Sequence, residues 1–159
     1  MMLSWHPTLV VDLGAESGYS TYWMARGIRK TEELGRAFGH IDAYDIGSLE
    51  QAQKILERDN LQTYVSLKQE DPIEAAKNYK DKEVWILHVN LHNTAETLRK
   101  IIDSWDKKIG YGCLLMFEGG DRPDIRQELE TNQIINTKYV YGTYFDWPGL
   151  AVLLKKTND

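Results

Sequence analysis

Short apolar runs alternate with amphipathic stretches along most of the chain. Seven runs have the length and apolar content typical of strands, and the fully apolar run 113–117 is typical of a strand buried on both faces of a sheet. The predicted strands are residues 8–13, 40–45, 61–67, 84–89, 113–117, 138–145 and 150–155.

Between these strands, apolar residues recur at the three-to-four-residue spacing of helices that bury one face. The predicted helices cover residues 19–33, a segment that begins near Leu49, residues 94–105 and residues 123–132. Asp71-Pro72 predicts the start of a further short helix, because proline suits the first helical position and aspartate suits the cap. Ser20 or Thr21 is the predicted cap of the first helix.

This alternation predicts one α/β domain over residues 1–159, since no repeat, low-complexity tract or linker interrupts it. The connection between the last two strands is too short for a crossover helix. We therefore expect a mostly parallel sheet that ends in an antiparallel hairpin.

A turn that contains two glycines follows the first strand. Gly14 and Gly18 can adopt positive φ and let a ligand approach the main chain at the start of a helix. The spacing differs from the G-x-G-x-x-G of dinucleotide sites, and Asp12 would repel a pyrophosphate but could hold an ammonium group. The alternative is an ordinary strand-to-helix turn with no ligand.

The charge balance excludes a general attraction to nucleic acid. The chain carries 19 Lys and Arg against 24 Asp and Glu, a net charge of −5, with no basic run. No apolar stretch is long enough to span a bilayer. The single cysteine, Cys113, lies in an apolar run and fits a reducing compartment, so the expected location is the cytoplasm, with neither nucleic acid nor membrane as a partner.

Residues 12–21, Asp-Leu-Gly-Ala-Glu-Ser-Gly-Tyr-Ser-Thr, resemble the glycine motif of class I S-adenosylmethionine (SAM)-dependent methyltransferases. The small-molecule and glycan O-methyltransferase branch is the most similar. The resemblance implies a three-layer, Rossmann-like fold with a mostly parallel seven-stranded sheet and a C-terminal antiparallel hairpin. It also implies that SAM is the cofactor. The cofactor-binding residues that it implies in this motif are Asp12, Gly14, Glu16, Gly18 and Ser20.

Two acids after later strands extend the resemblance. Asp45 ends the second strand, where the family has the acid that binds the ribose hydroxyls. Asp71 follows the third strand, where the family has an acid that faces the adenine amino group. Each has a structural alternative, a turn acid for Asp45 and a helix cap for Asp71.

The segment after the fourth strand departs from the family. Residues 87–93, Leu-His-Val-Asn-Leu-His-Asn, resemble the family's Leu-His-Ile-Asp-Gly-Asp-His, but Asn90 replaces the Asp that binds a metal in metal-dependent relatives. An amide oxygen is a weaker ligand for a hard cation than a carboxylate. The loop 117–121 also lacks the family's Asp-Asn pair, so we expect no catalytic metal.

His92 is the candidate general base, because the ordinary pKa of histidine suits proton removal at neutral pH. The alternative is a histidine that only supports its loop. His88 lies within the fourth strand and is interpreted as a core or pocket-wall residue, and the loop acids Glu118 and Asp121 are expected near the pocket mouth.

Seven residues precede the first strand, whereas relatives carry helices there that close over the cofactor. Three alternatives follow: a homo-oligomer or another partner supplies the lid, the pocket is open, or the protein binds SAM weakly or not at all. Met1–Pro7, with Trp5, is a further candidate cover, against the alternative of a frayed terminus. The functional hypothesis is a metal-independent methyltransferase with a small-molecule or glycan acceptor. The alternative is an inactive SAM-binding or scaffold protein, and a nicotinamide oxidoreductase is disfavoured by the glycine spacing, by Asp12 and by the hairpin.

Overall fold

A computed structural model describes residues 8–36, 38–144 and 149–157 of the chain. The strands are β1 (Thr8–Leu13), β2 (Gly39–Asp45), β3 (Val65–Gln69), β4 (Val84–Val89), β5 (Ile109–Glu118), β6 (Tyr139–Tyr144) and β7 (Leu150–Lys155). The α-helices are α1 (Tyr19–Glu33), α2 (Glu50–Arg58), α3 (Ala95–Trp105), α4 (Pro123–Thr131) and α5 (Gln133–Lys138).

The strands form one sheet in the order β3-β2-β1-β4-β5-β7-β6. β1 to β5 run parallel, and β7 pairs antiparallel with both β5 and β6. The predicted Rossmann-like sheet and its antiparallel end are confirmed. In an open sheet of this kind, ligands bind beyond the carboxyl ends of the parallel strands.

Helices cover both faces of the sheet and bury two apolar clusters. Consecutive residues of β1 point to opposite sides, so that Val11 packs in the cluster that contains α3 to α5 and Val10 packs in the cluster that contains α1 and α2. Trp105 of α3 is fully buried in the first cluster, and Ala25 of α1 is fully buried in the second. The result is the three-layer arrangement that the sequence predicts.

Several element boundaries differ from the predictions. The third strand begins at Val65 rather than Leu61, because the Leu61 N–H bonds the Leu56 carbonyl at the end of α2 and a 3₁₀ turn follows over Gln62–Tyr64. The segment after Asp71 is a 3₁₀ helix, Glu74–Asn78.

The second half of the chain has two further differences. β5 begins at Ile109, earlier than predicted, and α5 is an additional helix. α5 begins because the Asn132 side chain accepts the Ile134 and Ile135 N–H groups and caps a new helix. Phe145, the end of the predicted sixth strand, and the segment Met1–Pro7 lie outside the described residues.

Candidate active site

The turn after β1 is fixed to the strands on both sides of it. Gly14 has φ +89°, and the N–H groups of Gly14 and Ala15 both donate to the Tyr44 carbonyl, at 2.9 and 3.1 Å. On the other side, the Asn90 N–H donates to the Leu13 carbonyl at 2.8 Å. A Cβ on Gly14 would lie 2.0 Å from the Asn90 carbonyl oxygen. Glycine is therefore required where the turn meets the loop after β4.

Gly18 has a different local reason to be glycine. It has φ +85°, it precedes α1 as the cap residue, and its N–H donates to the Ala15 carbonyl. A Cβ there would lie 2.7 Å from both Cα and Cβ of Ala52, so the bare side of Gly18 faces α2. Its role toward a cofactor stays a prediction, while its packing role is visible.

The first turn of α1 is not capped by a side chain, so the prediction that Ser20 or Thr21 caps this helix is wrong. Both hydroxyls instead donate to Oδ2 of Asp12, at 2.8 Å from Ser20 and 2.5 Å from Thr21. Asp12 is fully buried and attracts these hydroxyls, because a buried carboxylate requires hydrogen-bond donors. The start of α1, which has no side-chain cap, follows β1 by one short turn and so lies at the carboxyl edge of the sheet.

Asp12 is also one end of a charged triad, Asp12–His88–Glu118, in which Asp12 and His88 are buried and Glu118 is partly exposed. Asp12 and His88 are register neighbours on β1 and β4, and His88 Nδ1 lies 2.8 Å from Asp12 Oδ1. The other ring nitrogen, Nε2, lies 3.2 Å from Oε1 of Glu118 at the end of β5. The triad joins three adjacent strands at the edge that carries the glycine turn.

The surroundings of His88 favour the doubly protonated imidazolium. Burial alone would lower the pKa of this imidazole, but the hydrogen bonds and charges of Asp12 and Glu118 outweigh burial and raise it to about 9. At neutral pH the ring therefore donates a hydrogen bond to each carboxylate. This cation neutralises Asp12, so Asp12 has less negative charge to offer an ammonium group than its sequence position suggests.

Asp45 joins the end of β2 to the glycine turn. Its Oδ2 accepts the Glu16 N–H at 3.0 Å, and its Oδ1 accepts the Gly47 N–H at 2.7 Å. Glu16 is a non-glycine residue with a positive φ of 44°. The turn-acid alternative for Asp45 is thus realised, and each carboxylate oxygen keeps a second lone pair that can accept from a hydroxyl.

The Asp71 side chain caps the start of the short 3₁₀ helix that follows it. Its Oδ1 accepts the N–H groups of Ile73 and Glu74 at 2.8 and 3.1 Å. Both bonds use the same oxygen, which leaves Oδ2 outside the cap. The capping alternative is therefore visible, and the contact with adenine stays a prediction.

His92 lies in an open cleft beside the triad. The cleft has a volume of about 270 Å³, and its lining includes Asn90, His92, Glu118 and Arg122. The His92 side chain is exposed, while its main-chain carbonyl accepts from the Thr97 hydroxyl at 2.8 Å.

Asn93 holds the loop that carries His92. Its buried amide donates to the carbonyls of Val89 and Glu118 at 3.0 and 2.8 Å, and its Oδ1 accepts the Leu91 N–H at 3.0 Å. The loop after β4 is thereby bound to the end of β5. The sequence shows that Asn93 replaces a family histidine, but the bridging contact is visible only in the structure.

Residues 8–36, 38–144 and 149–157 contain no group of three or more His, Cys, Asp or Glu side chains arranged to hold a metal ion. At the position where the family's metal-binding Asp belongs, Asn90 offers a neutral amide. In the same described ranges, no helix has the length and hydropathy needed to cross a bilayer.

The donor set at this edge fits SAM. The start of α1 has no side-chain cap and offers N–H groups, and Asp45 offers carboxylate oxygens beside Glu16. An amino-acid carboxylate suits free N–H groups, and ribose hydroxyls suit a carboxylate. Ser20 turns its hydroxyl inward to Asp12, so its contribution to cofactor binding stays a prediction.

Comparison with known proteins agrees with this assignment. A family model described as a methyltransferase domain matches residues 11–118, which is more than half of the chain. A comparison with curated protein sequences finds no match.

Solved structures show the same fold. A methyltransferase from Geobacter sulfurreducens is 18% identical with a TM-score of 0.70, and the match covers 96% of this chain and 72% of that protein. An rRNA methylase from Streptococcus thermophilus is 15% identical with a TM-score of 0.69, covering 95% and 88%. The cofactor-bound protein Rv0187 from MTB is 17% identical with a TM-score of 0.69, covering 94% and 73%.

The family match spans the segment from β1 to the end of β5 and so includes the glycine turn, Asp45 and the loop after β4. The neighbours independently reproduce the sheet and its terminal hairpin. The chain therefore belongs to the class I SAM-dependent methyltransferases.

Proposed function

We propose that this protein transfers the methyl group of SAM to a hydroxyl or amine of a small-molecule or sugar acceptor, without a catalytic metal. The convergence of the Gly14 turn, Asp45 and the loop after β4 at one edge of the sheet carries this proposal. When bound, SAM supplies a methyl group that is already activated on sulfur. The protein's share of the chemistry is then mainly to align an acceptor and to exclude water.

The proposed cofactor contacts divide by chemistry. The N–H groups at the start of α1 bind the amino-acid carboxylate, and Asp45 binds the ribose hydroxyls with its remaining lone pairs. Asp71 Oδ2 faces the adenine amino group in this proposal. Gly14 lets these groups approach the main chain.

The proposed proton acceptor is His92. Its imidazole is exposed at the cleft beside Glu118, whereas Glu118 already accepts a hydrogen bond from His88. An accessible histidine can remove a proton from an acceptor hydroxyl as the methyl group arrives. The neutral amide of Asn90 supports the metal-independent form of this chemistry.

Formation of S-adenosylhomocysteine over a panel of hydroxyl and amine acceptors tests the proposal. We expect turnover that EDTA does not abolish. Turnover that is lost with EDTA and restored by Mg²⁺ would contradict metal independence. SAM binding without turnover on any acceptor would favour the alternative, an inactive SAM-binding protein.

For the base, His92→Ala should leave the affinity for SAM within about twofold and slow methyl transfer by about 10²- to 10⁴-fold. His40→Ala is the matched control, because His40 lies at the amino end of β2, away from the carboxyl edge of the sheet, and its Nε2 is hydrogen-bonded to the Ser66 hydroxyl. A transfer rate that is unchanged in His92→Ala would assign His92 a purely structural role.

Cytoplasmic localisation is proposed on the basis of the single thiol, Cys113, which lies buried in the core. A second copy of the chain or another partner that covers the cofactor remains part of the proposal. Such a cover would exclude water from the cleft at His92.

A further inference from the structure

A second concave site lies at the opposite edge of the sheet. It is a cavity of about 600 Å³, larger than the cleft beside His92. Its lining comes from the segments that precede β4, β5 and β6, from Tyr111 within β5, and from the last residue of β7 and the residues that follow it. These segments lie at the amino ends of β4 and β5, about 15–20 Å along the strands from the glycine turn.

The cavity is strongly basic in a chain whose net charge is −5. Five lysines and two aspartates line it, an excess of three positive charges. These charged residues are Lys82, Lys107, Lys138, Lys155, Lys156, Asp81 and Asp106.

At the floor of the cavity, two lysines and a tyrosine contact the carboxylate of Asp106. Its carboxylate accepts from Lys138 and from the Tyr139 hydroxyl, and Lys155 Nζ lies 3.1 Å from its Oδ1. Burial alone would raise the pKa of Asp106, but these hydrogen bonds lower it, so the group is ionised. Lys155 is itself buried and also donates to the Ile109 carbonyl at 3.0 Å. The floor therefore pairs its one carboxylate with two lysines and keeps an excess of one positive charge.

The lysines at the rim of the cavity are Lys82, Lys107 and Lys156, and nearby carboxylates balance less of their positive charge. Asp81 is already bonded to Lys108 at 2.9 Å, so Lys82 and Lys107 interact with it only at longer range. Lys156 donates to the carbonyls of Asn136 and Thr137, which are neutral groups. Three cations from three separate segments thus converge on one concavity, and within residues 8–36, 38–144 and 149–157 none of them has a carboxylate at ion-pair distance.

The position of Lys82 adds a second feature. Its backbone has a positive φ of 64°, an uncommon conformation for a residue with a side chain, and its Nζ lies 4.5 Å from the centre of the Tyr111 ring. The Lys82 N–H also donates to the Lys107 carbonyl at 2.9 Å. This backbone bond joins the segments of two of the three rim lysines, Lys82 and Lys107, and the cation–π contact holds the Lys82 ammonium group at the cavity.

We propose that this cavity binds a phosphorylated small molecule through Lys82, Lys107 and Lys156. Lysine ammonium groups bind phosphate as compact point charges, and a volume of about 600 Å³ lies within the range of small-molecule sites. A concave site on an otherwise acidic protein suits a small anion better than a long polyanion, whose remaining phosphates would meet a negative surface. The proposal is independent of methyl transfer, since the two sites lie at opposite edges.

Calorimetric titration with inorganic pyrophosphate, at an ionic strength held constant with NaCl, tests the proposal. The test variant is Lys82→Gln/Lys107→Gln, which removes two exposed rim charges and leaves the buried floor intact. The matched control is Lys54→Gln/Lys100→Gln, which removes two exposed lysines from α2 and α3. We expect the rim variant to weaken pyrophosphate binding at least tenfold and the control variant to change it less than twofold.

SAM is titrated in parallel into the same variants, and its affinity should be equal in all of them. Pyrophosphate binding that is absent in the original protein, or equally weakened in both variants, would overturn the proposal. Binding of a short single-stranded oligonucleotide without binding of pyrophosphate would also overturn it, in favour of a nucleic-acid surface. A failure to bind SAM bears only on the methyltransferase proposal.

Discussion

Gly14 occupies the tightest point of the candidate site. An added Cβ would lie 2.0 Å from the Asn90 carbonyl oxygen, and φ is +89°. We expect Gly14→Ala to lower the free energy of unfolding by more than about 3 kcal/mol, because strain and a backbone clash add. Urea unfolding measures this loss.

Gly112→Ala is the matched control for that measurement. Gly112 also has a positive φ, +71°, but an added Cβ would meet no atom within 4 Å. It should lose only about 1–2 kcal/mol, the conformational strain alone. Equal losses in the two variants would show that the turn does not hold the loop after β4 as closely as described.

Asp45 is the residue on which cofactor affinity should depend most. Asp45→Ala should weaken SAM binding by about 1–3 kcal/mol, because the ribose hydroxyls would lose a charged acceptor. Asp103→Ala, an exposed acid on α3, controls for the change in net charge. Calorimetry that finds equal SAM affinities for Asp45→Ala and Asp103→Ala would remove Asp45 from the site.

Gly14 and Asp45 also show which site residues can be predicted from the sequence alone. Gly14 directly follows β1 and Asp45 is the last residue of β2, and the carboxyl end of a strand can be located from its apolar run. The partnership of His88 with Asp12 and Glu118 depends on the register between strands, which no single segment encodes. The sequence does indicate that His88 has a polar partner, because a histidine inside an apolar strand requires one, but it does not identify that partner.

At the scale of elements, the Asp12–His88–Glu118 triad ties β1, β4 and β5 together beneath the site. The pKa of His88 is raised to about 9 in the folded protein, against about 6.5 in an unfolded chain. A raised pKa stabilises the fold fully below about pH 6.5, and this contribution is lost as pH rises through 9. The triad should thus contribute a few kcal/mol at neutral pH and almost nothing at pH 10.

We therefore expect the free energy of unfolding to fall between pH 6.5 and 9 in the original protein, and to fall less in His88→Gln. Urea unfolding at several pH values measures both slopes. NMR titration of the His88 ring gives a second test that does not depend on the variant's folding, with a midpoint expected near 9. Equal slopes together with a midpoint near 6.5 would contradict the charged triad.

The elements themselves were predictable to different degrees. β4 and β7 have the predicted bounds because their apolar runs are short and sharply delimited. α5 was not predicted, since it depends on the Asn132 cap that interrupts the pattern of α4. The third strand begins later than predicted because Leu61 extends the apolar pattern of 61–67, although its N–H bonds the Leu56 carbonyl just beyond the end of α2.

At the scale of the whole molecule, the two edges of the sheet have different chemistry. The carboxyl edge presents N–H groups and carboxylates around an uncapped helix start, which suits a cofactor with an amino-acid end and a ribose. The amino edge presents an excess of lysines around a cavity. The fold separates the two sites by the length of the strands, so that ligands at one edge need not compete with ligands at the other.

Thermal unfolding with and without SAM, S-adenosylhomocysteine and NAD tests the central claim most directly. A ligand at about 100 times its dissociation constant adds about 2.7 kcal/mol of stability, which raises Tm by several degrees for a domain of this size. We predict that SAM and S-adenosylhomocysteine raise Tm while NAD does not. A rise with NAD alone, or with none of the three, would contradict the assignment of the carboxyl edge as a SAM site.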